Sequence, residues 1–333
     1  MKQSILFFAA LCVGAVAVQG DTGYKVAGRY PVAGTGGWDY VTLDSDARRL
    51  YISHGTQVDV IDADTGKAAG VIADTKGVHG IAIARGMNRG FTSNGTENTV
   101  SIFDTSNLRL IEKVAVGKGP DGIFFDPGSK RVFTCNHGTD DVTALDAASG
   151  KVVGTVKVGG PGEQMVAGPN GLLYVNMEES AEVVAFDPKT LQVKHRFPIG
   201  VGKTPTGLAV DLKNNRLFIG CRSKSMVVMD ALNGKVIGSF PIGAGVDWAE
   251  FDADARLVFI SNGDGTLNVF HQKSADIYED AGTVTTQPSA KTMAFDPKTK
   301  KIFLPAAEFD TVAAKGSSRK MKAGSFVVLV VSK

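Results

Sequence analysis

The sequence predicts an all-β protein, a seven-bladed β-propeller of four-stranded blades, on three observations. One four-part phrase recurs seven times between Trp38 and the C-terminus, at a spacing of about forty residues. The recurring unit is built of short alternating strands separated by turn signals, with no helical periodicity. The chain ends are also complementary: the last unit lacks its fourth strand, and an unclaimed strand stands at the N-terminus, ready to complete the last blade.

The phrase runs as an apolar stretch ending in Asp, a polar hairpin, an Arg/Lys-apolar-Tyr/Phe strand, and a second apolar strand that often ends in Asp. The first-Asp positions are Asp44, Ala84, Asp126, Gly168, Asp211, Asp252 and Asp296. The aromatic of the next strand is Tyr51, Phe91, Phe133, Tyr174, Phe218, Phe259 and Phe303. In the third unit strand a is 122–125, the hairpin 126–130, strand b 131–135, strand c 142–145 and strand d 151–158. Pro127 and Pro297 follow an Asp and preset the backbone angle of a type I turn. After the seventh strand c (326–330) the sequence ends at Lys333. Residues 24–33 read like strand d of the third unit and are expected to close blade seven, which protects both sheet edges. The loop at 305–325 breaks the pattern.

Residues 1–20 read as a signal peptide. Lys2 supplies a positive start, 5–18 an apolar run of about fourteen residues, and Ala15-Val16-Ala17 or Val18-Gln19-Gly20 a small-residue cleavage site. That run is shorter than a comfortable span, so cleavage is expected to leave no membrane span. Residues 21–333 then form a single propeller domain, periplasmic or secreted. Cys12 does not sit in a lipoprotein box. Cys135 and Cys221 fall on strand b of blades three and five, which are not neighbours. A disulfide needs Cα atoms within about 7 Å, so two free thiols are expected. A net charge of +2 gives no strong nucleic-acid signal, and a monomer is expected.

Strand a lines the central channel of a propeller, and the d-to-a and b-to-c connections open on one face. Five positions before each first-Asp position therefore lies a residue at the channel mouth: Asp39, His79, Asp121, Glu163, Thr206, Asp247 and Lys291. Four carboxylates against one lysine leave a net charge of about −3 with His79 neutral, and a narrow mouth focuses such a field. The ring suits a cation, a metal or a hydroxyl-rich ligand. A divalent metal ion is the candidate cofactor, with His79, Asp121 and Glu163 on consecutive blades as its ligands. The bland alternatives are a solvated channel and a Lys291 paired with Asp39 or Asp247. Both tryptophans, Trp38 and Trp248, flank the ring and offer a stacking face, unless they plug gaps between blades. Glu250 interrupts strand a of blade six where apolar residues stand elsewhere. It either pairs with a neighbouring blade or points into the channel. Any small ligand is expected at the mouth formed by Asp39, His79, Asp121, Glu163, Asp247 and Lys291, not at the opposite face.

The b-to-c loops ring the same face further out and carry His54 and His137, while His195 and His271 lie elsewhere. In blade seven this loop expands, and its segment 315–322 is small, polar and basic. It reads as a lid or as a dock for an anionic surface.

Repeats such as Arg131-Val132-Phe133-Thr134-Cys135-Asn136, followed by Val142-Thr143-Ala144-Leu145-Asp146, resemble the YVTN-type repeats of the YncE-like propeller family. The resemblance covers the chain from about Tyr24 to Lys333. It implies an exported seven-bladed propeller, and it carries no shared catalytic signature. The blades are also similar to those of surface-layer proteins and, more distantly, lactonase-type propellers and streptogramin B lyases. No nucleophile elbow, phosphate loop, haem motif or zinc signature is present. The leading expectation is a binding or interaction module for a small ligand or an exported protein partner. The alternatives are a metal-assisted, lactonase-like hydrolase or lyase working at the acidic mouth, and a binder of anionic polymer or nucleic acid through 315–322.

Overall fold

The computed structural model describes residues 22–310 and 320–333. The signal-peptide segment 1–20 and most of the basic segment 315–322 lie outside the described residues. The strands form seven four-stranded antiparallel sheets. In blade three they are Pro120–Asp126, Arg131–Asn136, Asp141–Asp146 and Val152–Lys157, close to the expected bounds.

The recurring aspartates are turn devices. Asp44 accepts the backbone N–H groups of Asp46 and Ala47, and Asp126 that of Ser129. At the end of strand c, Asp62 and Asp146 bind Thr65 N–H and Ser149 N–H in the same way. A short side chain that caps its own turn explains why the pattern demands Asp there. In blade four, where Gly168 replaces the first Asp, the turn becomes a single 3-10 turn at Pro169–Gly171.

The ring is closed as the sequence implies. Lys25–Pro31 pairs antiparallel with Val327–Ser332, from Lys25 opposite Ser332 to Pro31 opposite Val327. It becomes the outer strand of a blade whose inner strands are Ile302–Ala306 and Ala294–Phe295. In the irregular loop of this blade, Phe309 bridges Met321 and Glu308 pairs with Lys322 at 3.1 Å.

The core lies between the blades. Among the described residues the buried apolar side chains group into seven clusters, each drawn from two neighbouring blades. The strand-b aromatics are all buried within these seams. Tyr51 meets Phe103 of the next blade at 5.9 Å between ring centroids, and Phe133 meets Phe186 at 5.6 Å. The arginine that opens strand b crosses the same seam. Arg49 donates to the carbonyl of Thr105, Arg131 to that of Pro188, and Arg216 to the carboxylate of Asp276. The acceptors all lie on or beside the c-to-d turn of the following blade. Cys135 and Cys221 are free and buried.

Two outcomes test these contacts. Deleting 22–31 removes the closing strand and exposes the edge of Val327–Ser332, so the melting temperature falls. A truncated protein that melts like the full chain refutes the closure. Phe133→Ala empties part of one seam and costs about 3–5 kcal/mol in denaturant unfolding.

Candidate functional site

Strand a brings each blade's mouth residue to the same end of the channel, and strand b holds it there. At equivalent strand-b positions Ser93 donates to the carbonyl of Asp121, Cys135 to that of Glu163 at 3.7 Å, and Ser261 to that of Lys291 at 2.6 Å. Each bond reaches the mouth residue of the following blade. The buried thiol of Cys135 thus has a positioning role. Glycine follows the mouth residue in three blades, and Gly122 shows why. A Cβ there would lie 2.1 Å from the carbonyl oxygen of Glu163.

The mouth is a continuous network of charged side chains. Lys291 pairs with both Asp247 and Asp39, the latter at 3.1 Å. Asp39 holds Nδ1 of His79 at 2.7 Å. Asp121 lies between two imidazoles, with its Oδ1 3.7 Å from Nδ1 of His79 and its Oδ2 3.7 Å from Nδ1 of His137. Across the channel Tyr40 donates its hydroxyl to Glu163 at 2.9 Å. Arg222, from the b-to-c loop of blade five, binds Asp247 at 2.7 Å and Glu178 at 3.2 Å.

Burial opposes the charges of Asp39, His79, Asp121, Glu163 and Lys291, and the partners decide the outcome. For Asp39 burial disfavours the anion, but the His79 hydrogen bond and the nearby Lys291 outweigh it, so its pKa is lowered. His79 also resists charging through burial, yet Asp39 and Asp121 raise its pKa above 6.5. Asp121 is raised by burial and by the charge of Asp39. Glu163 is raised furthest, by burial and then by Asp121 and Asp247. The ring therefore contains ionised pairs at Lys291 and protonatable carboxyls at Glu163 and Asp121.

Directly beneath the ring, Tyr40, Gln164 and Trp248 occupy the position that glycine takes in three other blades. Tyr40 packs edge-on against Trp248 at 5.0 Å, and Gln164 links Leu208 N–H to the carbonyl of Ala249. They form a floor across the channel. Below it lies a cavity of about 530 Å³ that runs to Arg85 and Pro127 on the a-to-b turns of the opposite face. The channel is thus divided into a polar mouth and a largely apolar chamber.

Of the expected site residues, Asp39, His79, Asp121, Glu163, Asp247 and Lys291 come together at the mouth. Lys291 has two partners where one was expected. Thr206 donates to the carbonyl of Val246 and serves the neighbouring blade. Trp38 does not line the mouth network: it stacks between Phe309 and Phe326 and fills the seam of blades seven and one. Trp248 faces the chamber below. Glu250 lines that chamber and accepts the indole N–H of Trp248 at 2.9 Å, which decides between its two expected placements. His54 is buried against Asp59. The sequence reading did not place Arg222, His137, Tyr40 and Gln164 in the site. The departure from glycine at positions 40, 164 and 248 was the available signal for the floor. Nothing in a b-to-c loop marks Arg222 as turning inward.

The seven-bladed β-propeller is a fold shared with many solved structures. Residues 96–314 match the PQQ_2 family, described as outer membrane protein assembly factor BamB. The chain belongs to this family. No curated protein matches it. Among solved structures it is similar to Kuenenia stuttgartiensis hydrazine synthase at 16% identity, covering 82% of this chain and 94% of that one, with a TM-score of 0.71. It is also similar to U3-55K at 9% identity, covering 91% and 97%, with a TM-score of 0.78. At these identities the likeness shows the fold alone. Among the described residues no helix is long and apolar enough to cross a membrane.

The mouth network predicts the titration of His79. A raised folded-state pKa contributes stability that is fully present below the unfolded value and is lost as pH rises through the folded one. By NMR, His79 titrates above 6.5, and Asp39→Asn moves its midpoint down. A midpoint unmoved by Asp39→Asn contradicts the pairing.

Proposed function

We propose that this chain is an exported binding or interaction module that recognises its ligand at the channel mouth. The observation that carries this reading is Asp121. Its Oδ1 is buried without a hydrogen-bond partner, with Nδ1 of His79 3.7 Å away, and Nδ1 of His137 stands 3.7 Å from Oδ2. A carboxylate oxygen left unpaired in a buried site is costly, and a cation between these groups relieves that cost. Two sets of donors share Asp121: Asp39 with His79, and His137 with Glu163, the donor atoms of each set lying within 4.8 Å of one another. Imidazole with carboxylate suits Zn²⁺ or Mn²⁺ better than Ca²⁺. The second set modifies the expected ligands His79, Asp121 and Glu163 by exchanging His79 for His137.

A metal-assisted hydrolase or lyase is the second reading, favoured by Glu163. If the cation is held by Asp39, His79 and Asp121, Glu163 stays outside the ligand set. Burial and the charges of Asp121 and Asp247 raise its carboxyl in the ion-free protein, toward the range of a general acid. The family description names an outer-membrane assembly factor, which supports a protein partner in the cell envelope. Within the family, the YVTN-type phrasing of the repeats supports a YncE-like relative. Export rests on residues 1–20, and an anionic-polymer dock on 315–322.

Isothermal titration of metal-free protein with Zn²⁺, Mn²⁺ and Ca²⁺ tests the site. Zn²⁺ or Mn²⁺ binds with one-to-one stoichiometry, and Asp121→Asn weakens binding at least about tenfold. A bound cation also disfavours imidazolium and lowers the His79 midpoint. If no ion binds, or if Asp121→Asn binds as well as the native chain, the metal-binding mouth is wrong.

A further inference from the structure

The chamber beneath the floor differs from the mouth in position and chemistry. Its volume of about 530 Å³ falls within the range of roughly 300–1,000 Å³ typical of small-molecule pockets. The walls are apolar and aromatic, with Ile81, Ile123, Phe125, Leu208, Trp248 and Phe251 among them. The polar side chains that line it are engaged within the protein. Thr42 donates to the carbonyl of Ile81 at 2.7 Å, Tyr40 to Glu163, and Gln164 is committed to Leu208 and Ala249. Glu250 is different. Its Oε1 accepts the Trp248 indole N–H, and among the described residues its Oε2 has no partner.

We propose that this chamber binds an apolar monocationic amine, its ammonium paired with Glu250 Oε2 and its hydrocarbon body against the aromatic wall. Charge complementarity selects this occupant. Among the described residues the walls around Glu250 offer its second oxygen no donor, and an ammonium supplies both the opposite charge and the missing donor. Aromatic faces add cation–π attraction. A ligand carboxylate would meet Glu250 with like charge, and a neutral alcohol would satisfy only the hydrogen bond. Arg85 stands at the outer rim, where its guanidinium reaches the carbonyl of Leu43 at 3.5 Å. It disfavours polyamines, whose second charge would remain near the entrance, and leaves a single buried ammonium as the best fit.

Burial pushes the Glu250 carboxyl up to about 7, against the Trp248 hydrogen bond that lowers it. The other charged groups on the elements around it are engaged at the strand ends. On its own strand Asp247 pairs with Lys291 and Arg222, and Asp252 with Lys300. On the neighbouring blades Asp211 binds Gln272, and Asp296 binds Arg48. Across the channel Glu163 is held by Tyr40. Strand b behind it, Leu257–Asn262, carries no titratable side chain. Glu250 is therefore the group whose ionisation controls the chamber, and amine affinity should rise as pH increases through about 7.

The test is isothermal titration of the purified chain with n-octylammonium, n-octanol and octanoate between pH 5.5 and 8.5. Octylammonium should bind at pH 8 at least about tenfold more tightly than octanol and than octanoate. Its affinity should fall toward pH 5.5, and Glu250→Gln should remove both the preference and the pH dependence. Far-UV circular dichroism of Glu250→Gln checks that the variant is folded. If it is not, the native chain still decides through its amine-over-alcohol preference and pH profile. Excess Zn²⁺ leaves amine binding unchanged, because the mouth is separate, so failure of either site is read independently. Equal affinity for octanol or octanoate, a flat pH profile, undiminished amine binding by folded Glu250→Gln, or no amine binding overturns the proposal.

Discussion

The packing of one blade's strand-b aromatic against the next blade's strand c is the interaction on which the rest of this molecule depends. A four-stranded antiparallel sheet with apolar residues on both faces cannot stand alone in water. Each blade buries one face against its predecessor and the other against its successor, so the stable object is the closed ring. Tyr51 on Phe103 and Phe133 on Phe186 are two instances of the same contact. The crossing arginines, Arg49, Arg131 and Arg216, fix the outer part of the same seams. Because an open ring would leave two apolar faces in water, the pairing of Lys25–Pro31 with Val327–Ser332 matters more than its length suggests.

Ring closure also gives the channel its chemistry. Seven strands a converge on one axis, so residues about forty positions apart in sequence become neighbours at the mouth. The aligned positions put carboxylates side by side, and the structure resolves the resulting repulsion in two ways. Lys291 and Arg222 neutralise the half of the ring around Asp247 and Asp39. Around Asp121 and Glu163 no lysine or arginine among the described residues contacts the carboxylates directly; burial and Asp39 raise the pKa of Asp121, and burial, Asp121 and Asp247 raise that of Glu163. The two halves thus differ: one is cross-linked by the protein's own cations, and the other holds the proposed cation site.

The floor of Tyr40, Gln164 and Trp248 separates this charged mouth from the chamber below. Three glycines at the equivalent positions allow strands to approach closely, whereas these three large side chains fill the axis. Glu250 gains its properties from that division. Its carboxyl lies apart from the charged groups of the mouth, with one indole donor in largely apolar surroundings.

The sequence by itself determined the propeller, its seven blades and the strand that closes it, because these follow from local patterns repeated at a fixed period. Alternating burial sets the strands, a self-capping Asp sets the turns, and an unfinished last unit sets the closure. It also determined which residues share the mouth, since equal offsets within equal repeats must meet on one axis. Only the tertiary structure decided what those residues do to one another. Lys291 bridging two carboxylates, Arg222 turning in from a loop and Trp38 leaving the mouth for a seam depend on side-chain directions that no repeat encodes. The apolar chamber was likewise hidden, because a cavity is a property of the space between seven strands. The placement of Glu250 could be posed from one strand but decided only when that space was enclosed.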